Sequence, residues 1–323
     1  MTDLLPADAG FADRLAAALP EGTLRPAEPR YLEEPRGRWA GGSGWVALPR
    51  SADEVSTLIR AAAKARVGVL PYGGGTGLVG GQIAPAELAA PLIISLERMT
   101  AIRAVYPQEN VLVAEAGAIL ADVQAAARAE DRLFPLSLAS EGSARVGGVL
   151  STNAGGVNVL RYGNTRAQCL GIEVVLADGR VMDLMTALHK DNSGYDLRDL
   201  MIGAEGTLGI ITAAVMKLSP KPAHTVTAML APVSLDAALT VLNRLQAASG
   251  GAVEACEYMP RSYIERHGKP VALYSDKHSA FRNNHATANS DGMTHLGRAL
   301  HALNIEIICA NSPQAKGRVE RAN

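Results

Sequence analysis

Pro71-Tyr72-Gly73-Gly74-Gly75-Thr76-Gly77-Leu78-Val79-Gly80-Gly81 decides how the rest of the chain is read. Six of these eleven residues are glycine, so the groups on offer are main-chain N–H donors rather than side chains. Glycine admits positive φ and lets a ligand approach the backbone closely. Successive N–H groups in such a turn make a concave anion site suited to a phosphate or pyrophosphate. The apolar run Val67-Gly68-Val69-Leu70 just before it reads as a short buried strand. A diphosphate cradle at a strand end is therefore expected. A flexible linker would be richer in serine and would seldom follow a buried strand.

Working outward, Ser51-Ala52-Asp53-Glu54 fits a capping box. Val55, Leu58, Ile59 and Ala62 then repeat at helical spacing. Strands are expected at Leu92–Leu96 and Val111–Glu115, and a helix with Leu120, Val123 and Ala127 on one face. Ile172–Leu176 and Val181–Leu184 flank Ala177-Asp178-Gly179-Arg180, the pattern of a hairpin with an Asp-Gly turn. A long strand over Leu208–Leu218 ends at Ser219-Pro220-Lys221-Pro222, read as a domain edge. Beyond it come a helix carrying Leu235, Leu239, Leu242 and Leu245 and a strand near Val253–Cys256. Before it, residues 1–40 hold one short amphipathic segment (Phe11, Leu15, Leu19) and a Pro/Arg/Glu-rich approach.

The 323 residues are enough for about two domains, and 48% hydrophobic with 20% charged residues is an ordinary globular composition. A formal charge of -1 gives no general pull toward nucleic acid or anionic membrane. Cys169, Cys256 and Cys309 are odd in number and widely spaced, which fits buried thiols in a reducing compartment rather than disulfides or a zinc site. No signal-peptide pattern opens the chain and no apolar run approaches a bilayer span, so a cytoplasmic protein is expected.

Two familiar phosphate-binding patterns do not fit the opening loop. A nicotinamide Rossmann site needs a helix opening directly from the glycines and an acid about 20 positions on. Here Pro85 and a second glycine pair interrupt the following segment. A P-loop needs Gly-Lys-Ser/Thr after its glycines, which is missing. Further small-residue stretches point instead to a long ligand lying across two α+β lobes. They are Phe134–Ser143, Val146-Gly147-Gly148, Ser151–Gly156, Arg161–Arg166 and Glu205–Ile211.

In order and spacing, PYGGGTGLVGG, FPLSLAS, the Val146-Gly147-Gly148 and STNAGG pair, RYGNTR and EGTLGII carry a specific likeness. From about Trp45 to Leu218 the chain resembles the flavin-binding domain of the vanillyl-alcohol oxidase (PCMH-type) family. Its nearest branch holds glycolate oxidase, D-lactate dehydrogenase and D-2-hydroxyglutarate dehydrogenase. The resemblance implies an α+β, two-lobed FAD-binding domain over residues 41–220. Tyr72, Gly73, Gly74, Gly75, Thr76, Gly77, Leu78 and Gly80 would wrap the pyrophosphate. Pro135, Leu136, Ser140, Gly142, Ser143, Gly147 and Gly148 would line the middle of the cofactor. Ser151, Asn153, Ala154, Gly155 and Gly156, with Glu205, Gly206, Gly209, Ile210 and Ile211, would complete its flavin and adenine ends. Covalent members attach flavin through a loop histidine, whereas Thr76 and Leu78 stand here, so FAD is expected to be non-covalent. The implied chemistry is hydride transfer from a D-2-hydroxy acid (D-lactate, glycolate or D-2-hydroxyglutarate) to FAD, which passes electrons to an unidentified acceptor.

Members of this branch continue through a substrate cap that supplies histidine and glutamate for metal binding and proton abstraction. Residues 221–263 resemble only the beginning of that cap, and no Gly-Asp-Gly-Asn-x-His motif follows, so no catalytic base and no metal ligand is assigned. Residues 264–323 resemble the end of an insertion-sequence transposase with a partial RNase H-like core. There Asp276 and Glu320 would be the second and third acids of a metal-binding triad whose first acid is missing. Five of the seven histidines (His267, His278, His285, His295 and His301) fall in this tail without metal-ligand spacing. Lys316, Arg318 and Arg321 read as a solvated face rather than a nucleic-acid contact. The expected product is a gene fusion whose turnover is impaired. The alternatives are a nucleic-acid-processing fragment acting through the tail and a product that fails to fold.

Overall fold

The computed structural model describes residues 4–42, 44–228, 230 and 232–258, and the backbone of 272–276 and 306–310. Two sheets carry the first part of the chain. The first comprises β1 (Leu24–Pro26), β2 (Trp45–Ala47), β3 (Val69–Tyr72) and β4 (Leu92–Ser95), in the order β1-β2-β4-β3. β1 runs antiparallel to β2, while β2, β4 and β3 are parallel, with Val46 and Leu70 both opposite Ile93. All four residues of β4 are buried, as a central parallel strand covered on both faces requires.

β3 is fed by α2 (Ala52–Ala65), which Ser51 caps by accepting from the Glu54 N–H at 3.2 Å. The Glu54 carboxylate accepts from the Arg50 N–H rather than from that of Ser51, a small departure from the expected reciprocal box. The face Val55, Leu58, Ile59 and Ala62 is buried, as its spacing requires. α1 (Ala9–Ala16), capped by Asp8, adds Phe11 and Leu15 to the same core.

The second sheet comprises β5 (Ile102–Tyr106), β6 (Val111–Glu115), β8 (Cys169–Leu176), β9 (Val181–Leu184) and β10 (Gly209–Lys217). Its order is β5-β6-β10-β8-β9, antiparallel throughout. The β8–β9 hairpin closes at Gly179, which takes φ +79° beside Asp178, the turn that the Asp-Gly pair demands. α3 (Leu120–Ala129) and α4 (Val146–Ser151) pack beside this sheet, and β7 (Arg132–Leu133) pairs with β11 (Ser219–Pro220). One continuous apolar cluster runs from Phe11 through Leu58, Ile94, Leu112, Leu150 and Val174 to Met216, so the two lobes share one core.

The chain divides into two compact units after Lys221. The second unit contains α7 (Leu235–Ala248), capped by Ser234, and the parallel pair β12 (Ala272–Asp276) and β13 (Glu306–Ala310). Val253–Cys256 is not a strand: residues 252–258 form no regular element. An alternating segment becomes a strand only where a partner completes its ladder, and no described residue pairs with it. Asp276 ends β12 opposite Ala310. Glu320, the basic residues beside it and the five tail histidines lie outside the described residues.

Candidate functional site

β3 delivers the glycine-rich loop to the seam between the two lobes, and the missing side chains show how closely the motifs meet there. A Cβ on Gly73 would stand 3.2 Å from Cα of Gly148, and one on Gly74 would stand 2.1 Å from the Ser143 carbonyl oxygen. Gly206, at φ +78°, packs against the Pro71 ring, where a Cβ would be 2.7 Å away. Gly81 lies beside the Glu205 carboxylate, and the Glu205 N–H donates to the Ser151 carbonyl at 2.9 Å. Farther along, Gly156 sits on the Ser137 carbonyl, and Asn158 Nδ2 donates to the Pro135 carbonyl at 2.9 Å. Asn153 Oδ1 accepts from the Arg166 N–H at 3.0 Å, and the Ala154 carbonyl accepts from Thr165 Oγ1 at 2.6 Å. All six motifs therefore form one connected seam.

The loop itself is unusual in its hydrogen bonding. Among the described residues, the main-chain N–H groups of Gly74, Gly75, Thr76, Gly77, Leu78, Val79, Gly80 and Gly81 donate to no protein acceptor. Main-chain donors are rarely left unpaired away from water, and Gly73 to Gly77 are half-buried. A run of such donors is a positive concavity, and an anion supplies the acceptors it lacks. Burial dominates at the Tyr72 hydroxyl and raises its pKa, with Arg145, the residue before α4, adding only a minor opposing positive charge nearby. The pyrophosphate of a dinucleotide fits this donor set, so the residues present suit the cofactor that the motifs imply.

A polar cluster holds the loop from beneath. The Tyr72 hydroxyl donates to the Arg30 carbonyl at 2.7 Å, and the Tyr72 ring stands edge-on to Tyr31 with centroids 5.0 Å apart. Tyr31, fully buried, donates to Glu97 at 2.9 Å and accepts from Arg25 at 2.9 Å and Arg30 at 2.6 Å. Burial works against the charged form of Glu97, but the Tyr31 hydroxyl and the Arg30 guanidinium outweigh it and hold its carboxyl below the usual range. Burial raises the Tyr72 hydroxyl, against the pull of Arg30. None of Arg25, Arg30, Tyr31 and Glu97 belongs to the six motifs, and the sequence pattern does not single them out. The Pro/Arg/Glu-rich approach is the only signal for Arg25, Arg30 and Tyr31, and Glu97 has none.

The expected site residues fall into two groups. Tyr72 to Leu78, Gly80, Ser140, Gly142, Ser143, Gly148, Ser151, Asn153 to Gly156, Glu205 and Gly206 lie at or beside the seam, none of them fully buried. Leu136, Ile210 and Ile211 are buried in the core. Gly147 makes room for Ala116, and Gly209 for Val174 and Val175. Pro135 is buried and offers its carbonyl to Asn158. This second group packs the walls of the seam. Asn153 (φ 47°) and Glu205 (φ 51°) are non-glycine residues held in the left-handed region, a strain that tends to gather at functional sites.

Residues 44–185 match the family model described as FAD binding domain, which makes FAD the cofactor of this segment. Over 236 residues the chain is 38% identical to D-2-hydroxyglutarate dehydrogenase, mitochondrial, of Bos taurus, covering 72% of this chain and 43% of that protein. It is 40% identical over 210 residues to D-2-hydroxyglutarate dehydrogenase of Xanthomonas citri pv. viticola, covering 65% of this chain and 44% of the relative. The chain thus spans less than half the length of these curated relatives. A solved alkyldihydroxyacetonephosphate synthase superposes with a TM-score of 0.62 at 22% identity, over 77% of this chain and 46% of the other. That likeness establishes the fold, the mixed α+β architecture of PCMH-type FAD-binding proteins. No helix of the described residues is long and apolar enough to cross a membrane.

Proposed function

We propose that this chain is the FAD-binding part of an oxidoreductase acting on D-2-hydroxy acids, with FAD held without a covalent bond. The unpaired N–H run from Gly74 to Gly81 carries the cofactor half of this reading. Identity of 35–40% to proteins named for D-2-hydroxyglutarate supports the substrate half. D-2-hydroxyglutarate is the first candidate substrate, with D-lactate and glycolate beside it, and electrons pass on to a separate acceptor. Residues 41–220 form the cofactor domain in this reading, and 221–263 begin a substrate cap.

When bound, FAD supplies the hydride acceptor. The chain's own residues bind and orient it. The N–H groups of the loop would donate to the pyrophosphate oxygens, while Tyr72, anchored on Arg30 and Tyr31, fixes the loop's base. Ser140, Gly142, Ser143 and Gly148 form the middle of the wall. Ser151 to Gly156 and Glu205 to Ile211 form its ends. Thr76 and Leu78 offer no ring nitrogen for attachment. No residue is assigned to proton abstraction: Glu205, the carboxylate beside Gly81, stands at the end of the cofactor wall in this reading.

The test is anaerobic titration of the FAD-loaded full chain with D-2-hydroxyglutarate, D-lactate and glycolate, followed by flavin absorbance. Slow bleaching by a D-2-hydroxy acid, in line with impaired turnover, and none by the L-2-hydroxyglutarate enantiomer, is the expected result. Retained flavin that none of the three acids bleaches would remove the substrate assignment and leave cofactor binding alone.

A further inference from the structure

We propose that a second cleft, of about 460 Å³, is a binding site for a small anion bearing carboxylate or phosphate oxygens. Its volume is in the range of small-molecule sites. It lies where the turn Thr165–Gln168, the start of β8, the end of β10 and α6 (Leu197–Met201) meet. Arg166, Arg198, Lys217, His189, Asn153 and Asn164 line it, with Asp199 as the one carboxylate among its lining residues. The chain as a whole carries a formal charge of -1, so this gathering of cations is local.

The pairing of these cations separates those that build the wall from those left to act on a ligand. Arg198 is committed to the wall. It donates to the carbonyls of Cys169 and Leu170 at 3.1 and 3.2 Å, and its guanidinium is matched by Asp196 at 2.6 Å and Asp199 at 3.3 Å. Arg166 and Lys217, by contrast, make no ion pair among the described residues. Arg166 is half-buried and is held in place by donation from Nη2 to the Ile202 carbonyl, and its Nε has no hydrogen-bond partner. Lys217 extends from the exposed end of β10.

A half-buried guanidinium without a counter-ion is costly, and an oxyanion is the ligand that relieves it. A flexible ammonium at the rim and the Asn164 carboxamide suit a second oxygen, or the far end of a dicarboxylate. Asn153 turns its Oδ1 onto the Arg166 N–H, so that acceptor is already engaged, and the Asp199 carboxylate is paired with Arg198 at 3.3 Å. The site uses none of the Gly74–Gly81 donors, and its occupancy does not depend on the reading of that loop.

The test is calorimetric titration of the FAD-saturated full chain with 2-oxoglutarate, citrate and inorganic phosphate in separate arms. Each is run at about 0.02 M and about 0.3 M salt, across which exposed charges become screened. Saturable 1:1 binding in at least one arm is expected, and comparing the carboxylate arms with the phosphate arm identifies the anion class. Lys217→Gln, an exposed substitution that leaves the packing alone, should weaken it roughly tenfold, the loss of one charge-assisted contact. Arg166→Gln should weaken it further, provided its thermal transition matches that of the parent chain. Equal affinity in parent and Lys217→Gln, or no saturable binding in any arm, overturns the proposal.

Discussion

α2 and α7 are both 14 residues long, and each begins with a serine whose side chain accepts from the N–H three residues on. Each carries an apolar stripe at helical spacing. Their fates differ: α2 buries Val55, Leu58, Ile59 and Ala62, while Leu235, Leu239 and Leu245 of α7 remain 56%, 53% and 47% exposed. Capping and periodicity decide that a helix forms and which face is apolar. Whether that face contributes to stability is decided by what lies against it, and among the described residues α2, unlike α7, has a sheet and a continuous core beneath it.

The sharpest way to break this contrast is truncation of one leucine in each helix. Leu58→Ala should cost about 2–5 kcal/mol, because Leu58 is fully buried and leaves a cavity. Leu239→Ala should stay within about 0.5 kcal/mol, the range of exposed substitutions. Urea unfolding of the full chain, followed by circular dichroism, distinguishes them. A cost at Leu239 rivalling that at Leu58 would mean that α7 has a packed partner.

Two glycines of the seam extend the same logic to backbone contacts. Gly74→Ala places a Cβ on the Ser143 carbonyl, whereas Gly142 has nothing within 4 Å of its would-be Cβ. Gly74→Ala is expected to cost about 1–3 kcal/mol through overpacking and to weaken FAD retention at least tenfold. Gly142→Ala should leave stability nearly unchanged. Equilibrium dialysis with FAD and thermal unfolding read the two effects separately.

The smallest effect concerns the cluster beneath Tyr72. Because the folded state holds the Glu97 carboxyl below its ordinary value of 4.5, Glu97 stabilises the fold above that value. The contribution disappears as pH falls through the lower folded value. Glu97→Gln should therefore flatten the acid side of the stability profile below about pH 4.5 and leave the slope near neutrality unchanged. An unchanged acid slope would show that the cluster does not couple to folding.

Where local pattern and tertiary partner agree, the fold is legible from sequence. Val67–Leu70 marks β3 (Val69–Tyr72) to within two residues, and the Asp178-Gly179 pair fixes the β8–β9 hairpin. α4 is not legible in this way, because Val146-Gly147-Gly148 reads as a small-residue stretch contacting a ligand and carries no helical period. Packing of Gly147 on Ala116, under a buried Val149 and Leu150, overrides the weak propensity of two glycines. Val253–Cys256 fails in the opposite sense, as a pattern without a partner. Gathering of the six motifs follows from their glycines and small residues, while the support from Arg30, Tyr31 and Glu97 does not. Tyr31 and Glu97 are 66 positions apart and join only through the fold.

The central claim is that the Gly74–Gly81 donors hold the pyrophosphate of FAD. Its most direct test is the absorption spectrum of the purified full chain after incubation with FAD and desalting, with Gly74→Ala alongside. Flavin bands retained by the parent chain and lost from Gly74→Ala, with both proteins folded, are the expected result. A folded parent chain that emerges free of flavin would contradict the account.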